Sequence, residues 1–244
     1  NKMNNFLLII PARLKSTRYP NKVIKKINNK EIFIHVWEKC LKVCKKNQIF
    51  IATPDQKIIN ICKKNQINWF KTSQKCLTGT DRIIEISKRI KKDFYVNVQA
   101  DEIFVSPKSI LKVIKECIKN KYKFVINAFT KITKKEDFFS LTVPKVVLDN
   151  NNFLNYISRS PIPGNKKKVF LKAFKQVCIY AFPSKHVSKI KLNKKSFNEN
   201  YEDIEILRFI DNGIKVKMIK AQGSKVAIDT LKDYKTAVSY FKKN

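Results

Sequence analysis

LLIIPARLKSTRYPNK, residues 7–22, opens with an apolar run of strand length that stops at Pro11. Arg13, Lys15, Arg18 and Lys22 follow, with Ser16 and Thr17 among them and no acid. Four like charges on so short a segment repel one another, and a bound anion offsets that repulsion. The segment leaves the carboxyl end of the first expected strand, where open α/β sheets bind ligands. Guanidinium forks pair bidentately with phosphate oxygens, so two arginines and a lysine here suit a polyphosphate. Neither G-x-G-x-x-G nor GK[ST] follows the strand, which excludes a dinucleotide loop and a P-loop. The competing reading is a solvated basic loop in a chain that is basic everywhere, and charge alone does not separate the two.

Outward from this stretch, apolar runs of strand length recur at 6–10, 48–52, 94–98, 124–128, 145–148, 177–182 and 214–219. Segments of helical period lie at 32–43, 56–64, 81–90 and 107–119, the last opening on Ser106-Pro107. This alternation predicts an α/β fold with a mostly parallel central sheet. The early strands are continuously apolar, as strands buried on both faces should be. Beyond about residue 130 the rhythm changes. TVPKVVLDNNNFLNYISRSPIP predicts a strand, a turn on 149–152, a second strand and a proline-bounded loop. NKKKVFLKAF, 165–174, is expected as an exposed connection. FNENYEDIEILRFIDNG, 197–213, is expected as one helix with an acidic first turn, ending at Gly213. A terminal helix is capped by Asp229 or Thr230. No linker splits residues 1–244, so a single domain is expected, with roughly 130–185 as a smaller subregion.

Composition narrows the classes. The chain carries 52 Lys and Arg against 19 Asp and Glu, a net charge of +33. Nucleic-acid binding is the obvious reading of such a charge. The basic residues are scattered rather than gathered in a stripe, however, and lysine greatly outnumbers arginine. Lys, Asn, Ile and Phe share A/T-rich codons, which points to a biased genome. No zinc-finger spacing, RRM signature or basic tail accompanies the charge, so no specific nucleic-acid partner is expected. Cys40, Cys44, Cys62, Cys76, Cys117 and Cys178 form no C-x-x-C pair and are expected as reduced thiols. No apolar run reaches the ~20 residues of a membrane helix. The start lacks signal-peptide features, and Met3 is taken as the native first residue; a cytoplasmic protein without membrane insertion is expected.

Three further segments carry chemistry. In YVNVQADEIF, 95–104, a buried strand runs into Asp101 and Glu102. Mg2+ takes one or two carboxylates plus phosphate oxygens and is a natural partner for one of them; a salt bridge to a nearby lysine is the alternative. In KVAIDTLKDY, 225–234, Asp229 is an ordinary N-cap by itself and a second metal ligand if paired with Asp101. TGTDRI, 78–83, puts Gly79 at a helix start, where backbone N–H groups can meet a ligand. His35 and His186 sit in no motif and are assigned structural or surface roles.

Together, and in this order, these motifs resemble the 3-deoxy-manno-octulosonate (KDO) cytidylyltransferase family. The resemblance rests on Pro11, Ala12, Arg13, Ser16, Thr17, Arg18, Pro20 and Lys22, on TGTDR at 78–82 and on VNVQADE at 96–102. PKVVLD at 144–149, YISRSPIP at 156–163, CIYAF at 178–182 and IDT at 228–230 extend it over nearly the whole chain. It implies a nucleotide-diphospho-sugar transferase fold, Rossmann-like, with a smaller dimerisation subregion and a homodimer. The implied reaction is CTP plus KDO giving CMP-KDO and pyrophosphate, dependent on Mg2+, for lipopolysaccharide biosynthesis. Carried over residue by residue, Arg13, Lys22, Asp101 and Asp229 are the implied catalytic set, with Asp101 and Asp229 as metal ligands. Pro11, Ala12, Arg13, Ser16, Arg18, Lys22, Gly79, Thr80, Arg82 and Ala100 are implied at the nucleotide. Gln99, Arg159, Gln176, Tyr180, Glu202 and Glu205 are implied at the sugar, with Arg159 on its carboxylate. The chain departs from the family at Asn21 (Gly), Val23 (Pro), Ala100 (Gly), Ile103 (Pro), Gln176 (His) and Ile206 (Gln). The last two fall in the sugar half, which keeps an amino-substituted or sialic-type 2-keto acid open as the acceptor.

Overall fold

The first apolar run forms β1 (Phe6–Pro11), with Phe6, Leu8 and Ile10 in one core cluster and Leu7 and Ile9 in another. Alternate side chains of a strand point to opposite faces, so β1 is buried on both sides. The computed structural model describes residues 5–16, 18–223 and 227–243. Met3, Thr17, Lys225 and Val226 lie outside the described residues.

The chain continues through the hairpin β2 (Lys26–Ile27) and β3 (Lys30–Glu31), α1 (Ile32–Leu41), β4 (Ile49–Thr53), α2 (Gln56–Lys64) and β5 (Trp69–Lys71). Next come α3 (Gly79–Arg89), β6 (Phe94–Val98), α4 (Pro107–Lys119), β7 (Val125–Lys131) and α5 (Lys135–Phe139). The later part holds β8 (Lys145–Leu148), β9 (Leu154–Ser158), β10 (Phe174–Pro183), α6 (Ser184–Val187), α7 (Phe197–Glu202), α8 (Leu207–Asp211), β11 (Val216–Lys220) and α9 (Leu231–Lys243). The main sheet runs β11-β7-β10-β6-β1-β4-β5, with β8 and β9 attached through β10. Its pairings are parallel except where β10 inserts between β6 and β7 and where β8 and β9 attach. The carboxyl ends of β1 and β6 therefore lie side by side, which brings the segments after Pro11 and after Val98 to one edge.

Several elements differ from expectation. The single helix expected over 197–213 is two short helices, because Asp203 adopts the left-handed conformation (φ 50°) and ends α7. That break sends Glu202 and Glu205 to different partners. The β2–β3 hairpin turns on Asn28 and Asn29, both at positive φ, as a two-residue hairpin turn requires. Within the expected exposed connection, Ala173 is buried and Phe170 packs on the small cluster of Ile132 and Phe138. Of the two candidate caps of the terminal helix, Thr230 does the work: its hydroxyl accepts from Asp233 N at 3.2 Å. The Asp229 carboxylate is thereby left for other partners.

Candidate functional site

The segment after β1 is pinned at both ends. Ala12 N donates to Ala52 O at 2.9 Å, Leu14 N to an Asp55 carboxylate oxygen at 2.9 Å, and Asn21 N back to Leu14 O at 3.0 Å. Asn21 takes φ 57°, a left-handed backbone that glycine adopts freely and asparagine tolerates best among the others. This explains how Asn stands where the family's pattern has Gly. The turn delivers Lys22 inward. Its Nζ donates to Asp101 Oδ2 at 2.5 Å and to Asp229 Oδ1 at 2.9 Å. Arg18 reaches the same Asp229 oxygen at 3.1 Å from a more exposed position. Burial alone would lower the Lys22 pKa; the two carboxylates outweigh it and hold the ammonium above its usual range. Three segments far apart in sequence, carrying Arg18 and Lys22, Asp101, and Asp229, thus form one cluster at the carboxyl ends of β1 and β6.

The lysine salt bridge weighed for Asp101 is present, yet its partner belongs to the phosphate-clamp motif. Asp101 Oδ1 is buried without a hydrogen-bond partner, which leaves one carboxylate oxygen of the cluster unsatisfied. Among the described residues no group of three or more His, Cys, Asp or Glu is placed to hold a metal. Two carboxylates with a free oxygen fit Mg2+, which fills the rest of its shell from water and phosphate.

Beside this cluster lies the start of α3. Thr78 caps it, its hydroxyl accepting from Asp81 N at 3.2 Å while the Asp81 carboxylate accepts from Leu77 N and Thr78 N. A methyl on Gly79 would stand 3.2 Å from the Pro11 ring, so glycine lets the TGTDR turn press against the end of β1. Arg13 spans the same junction, donating to Leu77 O at 3.2 Å. The N–H groups expected to face a ligand have an internal partner instead. Glu205 accepts from Gly79 N at 3.2 Å, Thr80 N at 2.6 Å and the Thr80 hydroxyl at 2.5 Å. A carboxylate at a helix N-terminus is favoured by the dipole, so Glu205 stands in the structure as a cap on α3 rather than open to a sugar. Arg82, implied at the nucleotide, is directed inward to the Thr72 hydroxyl (2.6 Å) and Ser73 O. Ser16 is half-buried, and Ala12 and Ala100 are buried beside the clamp.

Of the expected sugar residues, Glu202 and Arg159 meet at the end of β9, Gln176 and Tyr180 lie on β10, and Gln99 follows β6. Glu202 accepts from the Ser158 hydroxyl at 2.5 Å and from Arg159 N at 2.8 Å. The Arg159 guanidinium is held by the carbonyls of Glu202, Leu141 and Asp203. That leaves two of its five N–H donors for a ligand. Gln176 is half-buried and donates to Asn127 Oδ1 at 2.9 Å. Tyr180 is buried, and burial pushes its phenol pKa well up. Gln99 is half-buried at the end of β6, and its carbonyl accepts from Glu102 N.

Two charged groups escaped the sequence reading. Lys145, in the PKVVLD motif, is fully buried and donates to Ser140 O (2.8 Å) and Arg159 O. Burial, then the nearby Arg159, lowers its pKa to about 8. Arg208 is buried between Glu199, which it grips through two nitrogens at 2.6 and 2.7 Å, and Asp81 at 2.7 Å. The acids more than offset the burial and raise its pKa. This triad ties α7 and α8 to α3. No periodicity signals either group, and the acids that hold Arg208 lie outside the EDIEILR run that contains it. His35 and His186 bond to backbone carbonyls away from the cluster, and the six cysteines are free thiols.

Residues 7–219 match the protein-family model described as cytidylyltransferase. The 3-deoxy-manno-octulosonate cytidylyltransferase of Thermodesulfovibrio yellowstonii is 32% identical over 95% of this chain and 96% of its own. That of Parabacteroides distasonis is 32% identical over 98% of both chains. A solved structure of CMP:2-keto-3-deoxy-manno-octonic acid synthetase complexed with CTP superposes with a TM-score of 0.90, at 24% identity, over 98% of this chain and 99% of that one. The last likeness establishes the fold; the family model and the sequence relatives establish the family. The chain belongs to the cytidylyltransferases, and among them to the 3-deoxy-manno-octulosonate cytidylyltransferase family.

Proposed function

We propose that this nucleotidyltransferase moves CMP from CTP to the anomeric hydroxyl of a 2-keto sugar acid, KDO, releasing pyrophosphate for lipopolysaccharide biosynthesis. The observation that carries the reading is the cluster in which Lys22 joins Asp101 to Asp229 beside Arg18. Both substrates are anions, so their meeting has to be paid in cations. Arg13, Arg18 and Lys22 bind the triphosphate, with Arg18 and Arg13 exposed enough to swing onto it. Arg159 offers its two remaining donors to the sugar carboxylate, and Gln99, Gln176, Tyr180 and Glu202 surround or support that end, while Glu205 holds the first turn of α3 on the nucleotide side. Pro11, Ala12, Ser16, Gly79, Thr80, Arg82 and Ala100 shape the nucleotide side.

The sugar hydroxyl attacks the α-phosphorus in line; the new O–P bond forms as the bond to the β-phosphate oxygen breaks. Fixed cations around the triphosphate stabilise the charge that builds on the leaving pyrophosphate. Mg2+, held by Asp101 and Asp229, would supply Lewis-acid charge and lower the pKa of the attacking hydroxyl. No histidine is needed as a base, and the Nε2 atoms of His35 and His186 are bonded to the backbone carbonyls of Ile27 and Lys123.

Residues 1–244 act as one domain, with 130–185 supplying sugar and dimerisation elements. Exposed Phe139, Leu141, Val169 and Leu171 in that subregion support a homodimer. No helix among the described residues is long and apolar enough to cross a membrane. A cytoplasmic setting follows from the use of CTP. Gln176 favours a second reading, in which the acceptor is an amino-substituted or sialic-type acid. Pyrophosphate release with Mg2+, CTP and a panel of 2-keto sugar acids tests both. Release with KDO supports the first; release with another acid alone moves the substrate; silence across the panel from folded protein sinks both.

A further inference from the structure

Against β7, β10 slips register between Val177 and Tyr180, so the strand carries a bulge there while its pairing with β6 continues through Ile179. Bulges re-aim side chains and leave backbone groups without ladder partners. Here the fully buried Asn127 fills the gap: its Nδ2 donates to Val177 O and to Ile179 O, both at 3.0 Å. Both carbonyls can only accept, so the atom that faces them must be the amide nitrogen. Asn127 Oδ1 is then fixed as an acceptor, and the Gln176 atom 2.9 Å from it must be the donor Nε2. Gln176 Oε1 is therefore the atom left over. It is turned away from Asn127, on a half-buried residue of the sheet face that also carries Tyr180.

We propose that Asn127 is a positioning residue that locks the Gln176 amide so that the site offers the sugar acid a fixed hydrogen-bond acceptor. The specificity that follows is for a donor on the substrate, a hydroxyl or an ammonium, at that point. The inference rests on the function proposed above and deepens it. Two backbone carbonyls set the polarity of Asn127, Asn127 sets that of Gln176, and Gln176 reads the substrate.

The test is steady-state pyrophosphate release, varying KDO and CTP separately. Gln176→Leu is expected to raise KM for the sugar acid about tenfold, the worth of one hydrogen bond left unmade, with KM for CTP unchanged. Gln176→His keeps a donor for Asn127 and an acceptor for the sugar, so it is expected to stay within about threefold of the wild type on the same scale. Gln176→Glu offers Asn127 no donor and is expected to behave like Gln176→Leu. Asn127→Leu combined with Gln176→Leu should be no worse for the sugar KM than either alone. Because Asn127→Leu strips two buried carbonyls of their donor and can fail to fold, the three Gln176 variants decide the matter by themselves. An unchanged sugar KM in Gln176→Leu, an equal rise in the CTP KM, or wild-type behaviour of Gln176→Glu overturns the inference alone. Silence from the wild type across the sugar-acid panel removes the function reading and this inference with it.

Discussion

Glu205 is where family resemblance and geometry make different demands, and Glu205→Gln separates them. Its carboxylate accepts two short bonds from Thr80 through one oxygen and a longer one from Gly79 N through the other. A glutamine can keep its oxygen on Thr80, but its NH2 then faces the Gly79 N–H, donor against donor. The change costs one charge-assisted hydrogen bond on a half-buried group together with the charge–dipole attraction at the start of α3. These sum to about 2 kcal/mol. For a chain of this length that lowers Tm by about 4–8 °C. Glu205→Ala loses all three bonds and should cost about 3–4 kcal/mol. Thermal unfolding followed by circular dichroism reads the stability, and initial rates with each substrate varied in turn read the site. The cap reading expects a lower Tm, a sugar KM close to wild type and a raised CTP KM, since the first turn of α3 presses on Pro11. A Glu205→Gln protein that melts with the wild type and binds the sugar acid poorly would refute it and return Glu205 to the sugar.

Three other outcomes can be checked on the same protein. Asp101→Asn should lower pyrophosphate release by at least about a hundredfold, because an amide of the same shape cannot replace a carboxylate charge aimed at the reacting centre; near wild-type turnover would end the metal assignment. Arg208→Met leaves Asp81 and Glu199 buried without their cation and should cost about 3–5 kcal/mol, read as a lower urea midpoint. Lys145 titrates at about 8 when folded against about 10.4 when unfolded. Between those values the unfolded chain holds the extra proton, so stability rises with pH. The wild type should gain about 3 kcal/mol across that window relative to Lys145→Met, and parallel pH profiles would contradict it.

The sheet was legible because its strands are buried on both faces, so that runs such as FLLII and FYVNV are marked by apolar content alone. The clamp and Asp101 were legible because each follows an apolar strand that gives way to charge, whereas Asp229 lies between β11 and α9 with no strand before it. What the pattern could not carry was the pairing. Nothing in the sequence spacing says that Lys22 meets Asp101 and Asp229, or that Glu205 turns back on Gly79. The break at Asp203 was hidden for a related reason. EDIEILRF has good helical character locally, and the left-handed residue is imposed by partners distant in sequence: Ser158 and Arg159 for Glu202, Thr80 for Glu205. The INNK turn carries a signal in its two consecutive asparagines, but the strands it joins are only two residues long and too short to show an alternating pattern. Arg208 and Lys145 were invisible in a chain with so many cations, since composition makes any one of them look like surface.

That surplus changes what an acid means here. With 19 acids among 52 lysines and arginines, a carboxylate left on the surface would find a cation almost anywhere. Many acids instead hold fixed internal partners. Asp55 anchors the backbone of the clamp, Glu85 takes Ser73 N, and Glu202 takes Ser158 and Arg159 N. Asp81 and Glu199 enclose Arg208, while Asp101 and Asp229 share Lys22. Acids committed in this way lend little counter-charge to solvent, so the cations facing outward are weakly balanced and attract anions toward the molecule in general. Such a field has no address. What distinguishes the clamp from the rest of a basic surface is that its cations stand beside the carboxylate pair, where an anionic nucleotide and a divalent cation can be held together. A basic surface without that pair would gather polyanions and do nothing to them.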